Sequence, residues 1–434
     1  MSDTNYIGKS MPQYDAEGRM SGKTVYVDDV RVPGMCFVKV LRSPVHKGII
    51  KNIDASAALK IPGVVGVLTY KDVPGVNIGW LGACEVFAEK NLRFKGHAIC
   101  AVVGETEDIA QAGVEAIIVD IEEQTPVFNM FEAMKPGAPL VVEGSKDNMA
   151  YWGDNNYFTM KLGDVDEGFK MADHIIESEF YQGSQDHASM EPNVSVAYTD
   201  DSGRLCIHTT SQCLYFQLGS LCAVFGLPMS KIRYIGGVTG GGFGGRNEIY
   251  TDHIAGVAAL RFGRAVKYCM TRSEDFLCTH KRGEWKVHYK DGVMNDGRIV
   301  ARHITHWHDA GNVFTFAPYG IEKCSLFMCG PYHIPNILIH GYCILTNKPH
   351  SSTVRGYTAI NGQVGADVQL QKIANTLGMD SWEVRALNAW RDGDMGAGRY
   401  IVEGAGALEA LKSTAEMSGV KLSDKVTQMN SRGR

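Results

Sequence analysis

A glycine-rich segment constrains the fold of this chain more than any other feature. Residues 236 to 250 read GGVTGGGFGGRNEIY, and five of the six residues from 240 to 245 are glycine. Glycine allows the backbone to approach another group closely and to adopt positive φ angles. The preceding KIRYIGG predicts a strand. The following NEIYTDHIAGVAALRF predicts a helix, because its apolar residues recur near helical spacing. The sequence therefore predicts a tight loop between a strand and a helix.

The residues alone leave two interpretations of this loop. Gly240, Gly242 and Gly245 satisfy G-x-G-x-x-G, which is typical of dinucleotide-binding loops at helix N-termini. The alternative is a tight structural turn that packs the helix on the strand. A nicotinamide-binding unit would carry an acidic residue about 20 residues past the loop. Glu274 and Asp275 come later than that, which disfavours the nicotinamide interpretation.

Composition excludes several classes of function. The net charge of -5 argues against general nucleic-acid binding, and no apolar run reaches the length of a membrane span. The polar N-terminus lacks a secretory h-region, so we expect a cytoplasmic protein. The eleven cysteines are scattered and form no C-x-x-C pair, which favours buried thiols in a reducing compartment over zinc or iron–sulfur ligands.

The sequence predicts two structural units joined by a linker. Residues 15–128 indicate an α/β unit with a strand in GMCFVKVLRSP and a strand–helix–strand run in HAICAVVGETEDIAQAGVEAIIVDIEE, whose helix begins at Thr106. Residues 129–154 are rich in proline and glycine and predict a linker. Residues 155–434 mix strands and helices in a larger unit. The expected fold class is mixed α/β (α+β).

Several segments together resemble one protein family. QDHASMEPNVSVAY, HTTSQCLYFQLGSLCAVFGLP, TGGGFGGRNE and HSSTVRGYTAINGQ follow one another, with MTRSEDFLCTHKRGEWKVHYKDGVMNDGRIVA between the last two. Their wording and order resemble the molybdenum-binding subunit of the xanthine dehydrogenase/aldehyde oxidase family. The resemblance runs from about residue 10 to about residue 420. It implies an N-terminal α/β hammerhead domain followed by the first part of a molybdenum-cofactor-binding domain.

The resemblance also implies a set of cofactor-binding residues. The glycine loop would approach the molybdenum of a molybdopterin, with Gly242 in close approach and the N–H groups of Phe243 and Gly244 directed at an oxygen ligand of the metal. Gln212 matches the family glutamine that hydrogen-bonds the oxo ligand, and an amide can donate there without bringing a charge. Arg355 matches an arginine beside metal and substrate. Gln212 and Arg355 are the expected catalytic residues, and no side chain is expected to ligate molybdenum.

Three positions are expected to contact substrate: Asn247, Lys323 and Tyr357. Purine-oxidising members of the family carry lysine–glutamate after the loop, whereas this chain has Arg246 and Asn247. Lys323 stands where those members have an arginine, and Tyr357 matches an aromatic residue that stacks on flat substrates. Xanthine is therefore disfavoured, and Arg246 and Lys323 favour a polar or anionic substrate. Carbon monoxide is also disfavoured, because VRGY lacks the cysteine of carbon monoxide dehydrogenase.

Three functions stay open at this point. The favoured one is oxidative hydroxylation of an N-heteroaromatic, purine-like or nicotinate-like substrate, with water as the oxygen source. An aldehyde oxidoreductase of the same family is the alternative. The third is a non-catalytic scaffold or cofactor-insertion chain.

The resemblance implies partner chains as well. It is to the N-terminal half of a molybdenum subunit split in two, as in nicotinate dehydrogenase-type enzymes. No segment of the G-x-G-E type that carries the family's catalytic glutamate follows residue 400. We therefore expect a second molybdopterin-binding subunit with that glutamate, a 2Fe–2S subunit and a FAD subunit, in a dimer of hetero-oligomers. The expected cofactor is molybdopterin in its cytosine dinucleotide form.

Two further clusters resemble sites. HITHWH brings His303, His306 and His308 together, but on a strand only His306 and His308 share a face, which favours a structural role over zinc binding. QDHASMEP offers His187 and Glu191, and the resemblance assigns this segment to building the domain.

Overall fold

The computed structural model describes residues 6–79, 81 and 83–432 of the 434-residue chain. Within them the strands are β1 (Cys36–Arg42), β2 (Gly48–Asp54), β3 (Val64–Leu68), β4 (Asn91–Leu92), β5 (Ala98–Gly104), β6 (Ile118–Glu123), β7 (Phe158–Leu162), β8 (His174–Gln182), β9 (Val194–Thr199), β10 (Leu205–Thr209), β11 (Ile232–Gly236), β12 (Val266–Cys269), β13 (Trp285–Val293), β14 (Ile299–Gly311) and β15 (Ile337–Leu345). The α-helices are α1 (Ala16–Met20), α2 (Glu107–Glu115), α3 (Met130–Ala133), α4 (Val165–Met171), α5 (Leu214–Phe225), α6 (Asp252–Phe262), α7 (Arg272–Cys278), α8 (Ala317–Phe327), α9 (Ala359–Leu377), α10 (Ser381–Asn388), α11 (Ala407–Ser418) and α12 (Asp424–Gln428).

The strands and helices expected from the sequence form where their patterns place them. GMCFVKVLRSP contains β1, and the strand–helix–strand run gives β5, α2 and β6. Thr106 is the N-cap of α2, because its hydroxyl accepts from the Ile109 N–H and satisfies one of the free amides of the first turn. The helix after the glycine loop begins at Asp252, five residues later than the sequence pattern predicts.

One sheet joins the two predicted units. Its seven strands run in the order β11-β10-β9-β12-β1-β5-β3, so β1, β3 and β5 of the first unit continue a sheet built from the second. The seam is the parallel pair of β1 and β12, with Cys36 opposite Val266. Helix α2 packs on β1 and β5, while α5 and α6 pack on the strands of the second unit. A continuous apolar core therefore crosses the boundary between the predicted units.

The segment predicted as a linker, residues 129–154, is packed rather than extended. Met130 and Val141 are buried in the same apolar core as the second sheet, whose strand order is β7-β15-β14-β13-β8. The buried Asn148 side chain holds the segment together, since its carbonyl accepts from the Val141 N–H at 2.8 Å. Proline and glycine here mark irregular backbone that packs against the core. The proposed boundaries themselves stay a prediction.

Two parallel strands bring the glycine loop to its neighbour. β10 and β11 are parallel, with Thr209 opposite Gly236, so both strands end at the same edge of the sheet. Gln212 follows β10 by three residues, and the loop leaves β11 directly. The Gly237 N–H donates to the Thr209 carbonyl at 2.8 Å and extends the pairing beyond both strands. This register places Gln212 against the loop.

No helix in the described parts of the chain is long and apolar enough to cross a membrane. The eleven cysteines are all free thiols, seven of them buried and four half-buried, as the sequence led us to expect.

Candidate functional site

The amide of Gln212 is oriented by the glycine loop. Its Oε1 accepts from the backbone N–H groups of Gly244 at 2.9 Å and Arg246 at 3.2 Å. Because both partners are donors, the oxygen and nitrogen of the amide are unambiguous. In the described residues Nε2 has no hydrogen-bond partner, and the side chain is exposed. The loop therefore holds Gln212 as a donor directed away from the protein.

Protein atoms explain the glycines of the loop. A Cβ at Gly242 would lie 2.7 Å from Gln212 Oε1, and one at Gly240 would lie 2.7 Å from the Cβ of Glu191. At Gly244, where φ is +99°, a Cβ would lie 2.3 Å from the Thr353 carbonyl oxygen. We expected glycine here to make room for a cofactor. In the structure, the close packing of the loop on its own chain already requires it.

A second segment is tied to the tip of the loop. The Arg355 N–H donates to the Phe243 carbonyl at 2.8 Å, so the arginine begins at a fixed point beside the loop. Its guanidinium is exposed and has no partner among the described residues. The Gly244 N–H is used inside the chain by Gln212, whereas the Phe243 N–H has no partner in the described region. Of the two amides expected to face a ligand, only that of Phe243 is unpaired.

Backbone strain concentrates around this site. Six described residues other than glycine have positive φ, and Phe243 (53°), Tyr357 (25°), Thr358 (63°) and Ala188 (49°) are four of them. Such conformations cost of order 1–3 kcal/mol each and persist where the surroundings over-determine them. Phe243 is also 46% exposed, although it is a large apolar side chain. Strain and exposure together mark a surface arranged for a ligand or partner.

Thr353 connects the two segments, and no pattern in the sequence marks it. Its hydroxyl donates to the Gly244 carbonyl at 3.1 Å and accepts from Asn247 Nδ2 at 3.0 Å. Its carbonyl lies 2.7 Å from His187 Nε2 and 2.9 Å from His280 Nε2. Asn247 is thus half-buried and bonded within the chain, which limits the contact it can make with a substrate.

Arg246 does not reach a substrate, contrary to the expectation from its charge. Only 2% of it is exposed, and its guanidinium donates to the backbone carbonyls of Glu191 and Gly241 beneath the loop. Burial lowers its pKa. Arg246 therefore supports the loop by donating to backbone carbonyl groups that are not paired in a helix or strand.

Lys323 and Tyr357, both expected to contact substrate, lie next to each other. Lys323 Nζ lies 5.1 Å from the centre of the Tyr357 ring, within cation–π range. The Tyr357 hydroxyl donates to the Phe316 carbonyl at 2.6 Å, and its ring stacks on Tyr319. Burial raises the pKa of Tyr357, so it stays a neutral phenol. Lys323 forms no ion pair in the described part of the chain, which leaves its charge available.

His187 and Glu191 build the loop, as the sequence interpretation held. Glu191 Oε2 accepts from the Gly240 N–H at 2.7 Å, and burial raises the pKa of this carboxyl. His187 holds the Thr353 carbonyl. The histidines of HITHWH are likewise structural. His306 and His308 stack on the same indole, Trp285, with ring centres 5.5 and 4.1 Å away, and His303 lies on the other face against His340.

Comparison with known proteins assigns this chain to a protein family. Residues 21–125 match the family described as the aldehyde oxidase and xanthine dehydrogenase a/b hammerhead domain, and residues 150–389 match the molybdopterin cofactor-binding domain. The second match alone covers more than half of the chain. The fold and the site together define a molybdopterin-binding oxidoreductase chain.

Individual relatives agree with this assignment. The chain is 30% identical over 420 residues to the nicotinate dehydrogenase large molybdopterin subunit of Eubacterium barkeri, covering 95% of this chain and 96% of the relative. It is 31% identical to a probable xanthine dehydrogenase subunit of Bacillus subtilis over 93% of this chain and 53% of the relative. The aldehyde oxidoreductase of Desulfovibrio gigas superposes with a TM-score of 0.89 at 26% identity, over 96% of this chain and 47% of that one.

The chain is therefore a molybdenum hydroxylase subunit of the xanthine dehydrogenase/aldehyde oxidase family. It spans about half the length of the Bacillus subtilis relative and of the Desulfovibrio gigas structure. It spans almost all of the Eubacterium barkeri subunit.

The described residues fit a molybdopterin at the loop. Three donors without protein partners, Gln212 Nε2, the Phe243 N–H and the Arg355 guanidinium, lie on segments that are hydrogen-bonded to one another. All three belong to exposed residues, so they are free to donate to the oxygen atoms of a bound group. The side chains of Phe216 (52% exposed) and Tyr319 (54% exposed) are connected by ring contacts through Phe316 and Tyr357, and these four rings form an open aromatic face.

Proposed function

We propose that this chain forms half of the active site of an enzyme that hydroxylates an N-heteroaromatic substrate, with water as the source of oxygen. The observation that carries the proposal is the orientation of Gln212, whose amide oxygen is occupied by the glycine loop so that Nε2 must donate outward. When bound, the molybdenum cofactor supplies the two-electron chemistry.

Gln212, Phe243 and Arg355 would hold the oxygen ligands of the cofactor. A neutral amide and a backbone N–H donate without adding charge, and they stabilise negative charge on oxygen where it develops. Arg355 brings the one positive charge, on a backbone position fixed by its bond to Phe243. Because these donors are held before a ligand arrives, little reorganisation accompanies the reaction. We infer catalytic roles for Gln212 and Arg355, and a cofactor-binding role for the backbone from Gly242 to Gly244.

Lys323 and Tyr357 would recognise the substrate. A flat heterocycle can stack on the aromatic face next to Tyr357, and the Lys323 ammonium can pair with a carboxylate or ring carbonyl. A nicotinate-like acid presents both features. Asn247, which is already bonded to Thr353, would contribute at most its remaining hydrogen-bonding capacity.

An aldehyde substrate is the second candidate. Two aldehyde oxidoreductases superpose on this chain with TM-scores of 0.89 and 0.90 at 26% identity. Asn247 instead of an acidic residue is compatible with an aldehyde. Lys323 favours the heterocycle, because a simple aldehyde offers no negative charge to pair with it.

The open aromatic face implies partner chains. The relative that this chain covers almost completely is called a large subunit, and about half of each longer relative lies outside the matched region. We infer a second molybdopterin-binding chain that brings the catalytic glutamate, together with a 2Fe–2S chain and a FAD chain that accept the electrons. The cytosine dinucleotide form of the cofactor, a dimer of hetero-oligomers and a cytoplasmic location are part of the same proposal.

The test is a substrate panel on the complex purified through a tag on this chain. The panel contains nicotinate, its amide, a neutral purine and an aromatic aldehyde, each assayed with an artificial electron acceptor. We expect the highest kcat/KM for the heterocyclic acid and a lower value for the amide. A preference for the aldehyde over every heterocycle would replace the first candidate by the second. No turnover with any of them, in a complex that contains molybdenum, would contradict both.

A further inference from the structure

A second cluster of buried polar side chains lies behind the glycine loop and plays no part in the proposed reaction. Glu248, His280 and His350 are 3%, 0% and 4% exposed, and one ligand atom of each lies within 4.8 Å of the others. Three separate segments meet here: the end of the glycine loop, the residues after α7, and the residues before Thr353. Tyr250 completes the group, with its hydroxyl 3.0 Å from Glu248 Oε2 and 2.5 Å from His280 Nδ1.

The hydrogen bonds of His280 fix its tautomer. Its Nε2 lies 2.9 Å from the Thr353 carbonyl oxygen, which can only accept, so Nε2 carries the proton. In the neutral ring Nδ1 is the acceptor, and it lies 2.5 Å from the Tyr250 hydroxyl and 3.7 Å from Glu248 Oε2. Histidines that ligate metals are held in this way, with the second ring nitrogen donating to a backbone carbonyl.

Glu248 is buried and incompletely satisfied. His350 Nε2 lies 2.5 Å from Oε2, whereas Oε1 is buried without a hydrogen-bond partner in the described region. No lysine or arginine of the described chain forms an ion pair with Glu248. A buried carboxylate of this kind is destabilising unless a cation neutralises it.

Space for an ion lies next to the cluster. Glu248, Tyr250 and His350 line a cavity of about 60 Å³ between the two predicted units. Two ligand atoms on a tetrahedral Zn²⁺ with bonds of about 2.0 Å lie roughly 3.3 Å apart. Glu248 Oε2 lies 2.5 Å from His350 Nε2 and 3.7 Å from His280 Nδ1, so the two distances fall on either side of that value. Small side-chain shifts would open the cluster around an ion.

We propose that Glu248, His280 and His350 form a structural site for Zn²⁺, distinct from the molybdenum cofactor. Two imidazoles and one carboxylate are a ligand set that Zn²⁺ accepts, with the Tyr250 hydroxyl or a water as the fourth group. Zn²⁺ would replace the hydrogen bond between His350 Nε2 and Glu248 by a bond to each, with His350 bound as the neutral imidazole that keeps one proton on Nδ1. Because all three ligands are buried, the ion joins the three segments beneath the loop and takes no part in catalysis.

The experiment measures zinc on the native complex purified through this chain. The protein is stripped with a chelator, equilibrated with excess Zn²⁺, passed through a desalting column and analysed for bound zinc and for its Tm. The wild type is expected to keep about one Zn²⁺ per chain and to gain Tm when zinc is restored. His350→Gln and Glu248→Gln are expected to lose at least about nine-tenths of the zinc. His306→Gln is the matched control, since His306 is an equally buried imidazole bonded only to Ser325 among the described side chains, and it should bind zinc like the wild type.

Two results would overturn the zinc site. One is wild-type protein without zinc after equilibration, and the other is equal zinc on the wild type and His350→Gln. If the cluster variants do not fold, Co²⁺ is added to the stripped wild type instead. Visible d–d bands of a tetrahedral site then support the proposal, and their absence contradicts it.

Discussion

Gln212 offers the sharpest test of how the chain uses the glycine loop. Its amide has two separable functions: Oε1 anchors the loop, and Nε2 is the free donor. Gln212→Ala removes both functions. Gln212→Glu keeps an acceptor for the Gly244 and Arg246 amides, removes the donor and adds a negative charge. The pair of variants therefore separates the support of the loop from its chemistry.

The magnitudes follow from the contacts. Each lost loop bond is worth about 0.5–1.5 kcal/mol, and the exposed site favours the low end, so Gln212→Ala should cost about 1–2 kcal/mol of unfolding free energy. Gln212→Glu should change it by less than about 0.5 kcal/mol. Loss of a donor that stabilises developing charge typically costs a factor of about 10²–10³ in kcat. Both variants should show that loss.

The assay is steady-state kcat per bound molybdenum in the purified complex, with Tm measured in parallel. Normalising to molybdenum removes any effect of cofactor loss. Gln212→Glu with normal Tm and kcat reduced at least about 100-fold is the predicted result. A kcat in Gln212→Glu within about twofold of the wild type would disprove the role of this side chain, because it would show that the Nε2 donor does nothing in the reaction.

Three further predictions follow from the same contacts. Gly244→Ala places a Cβ 2.3 Å from the Thr353 carbonyl oxygen, so it should lower the unfolding free energy by about 2 kcal/mol or more and release molybdenum. Gly263→Ala is the control, because Gly263 also has a positive φ but lies in open space, and it should cost about 1 kcal/mol. Thermal unfolding and metal analysis measure both effects. Lys323→Met should raise KM for an anionic heterocycle about tenfold and leave KM for its neutral amide unchanged; an equal effect on both would contradict a charge contact. Burial lowers the pKa of three buried histidines outside the zinc cluster to about 3, so their neutral rings stabilise the fold above pH 6.5 and lose that contribution as the pH falls towards 3. These histidines are His97, His253 and His306. Each should add up to about 1.4 kcal/mol of destabilisation per pH unit as the pH falls, and replacing each by glutamine should flatten the curve of Tm against pH.

The sequence predicted the parts of the site that are local. The strand, the glycine loop and the following helix are adjacent in the chain, so turn chemistry and helical spacing are enough to find them. The order of the family's motifs is what singles out Gln212 and Arg355 as expected catalytic residues. The structure adds why they lie together: β10 and β11 are parallel, and the Arg355 N–H is bonded to Phe243.

What the sequence missed depends on contacts between distant segments. Arg246 looks like a ligand for an anion, yet it is buried and donates to backbone carbonyls. Thr353 has no distinguishing pattern, because its bonds reach back more than a hundred residues. Glu248, His280 and His350 come from three places in the chain, so no spacing rule brings them together. The residues between 129 and 154 show the same limit, since composition marks irregular backbone and cannot show what covers it.

Binding of a molybdenum cofactor at the glycine loop, together with partner chains, underlies every catalytic role proposed for this chain. The most direct measurement is molybdenum per chain in the native complex purified through a tag on this subunit. We predict close to one molybdenum per chain in the wild type, with partner chains present, and a clear loss in Gly244→Ala. Protein that lacks molybdenum although its partners are present would contradict cofactor binding. It would favour a scaffold or cofactor-insertion chain, with the glycine loop as a structural turn.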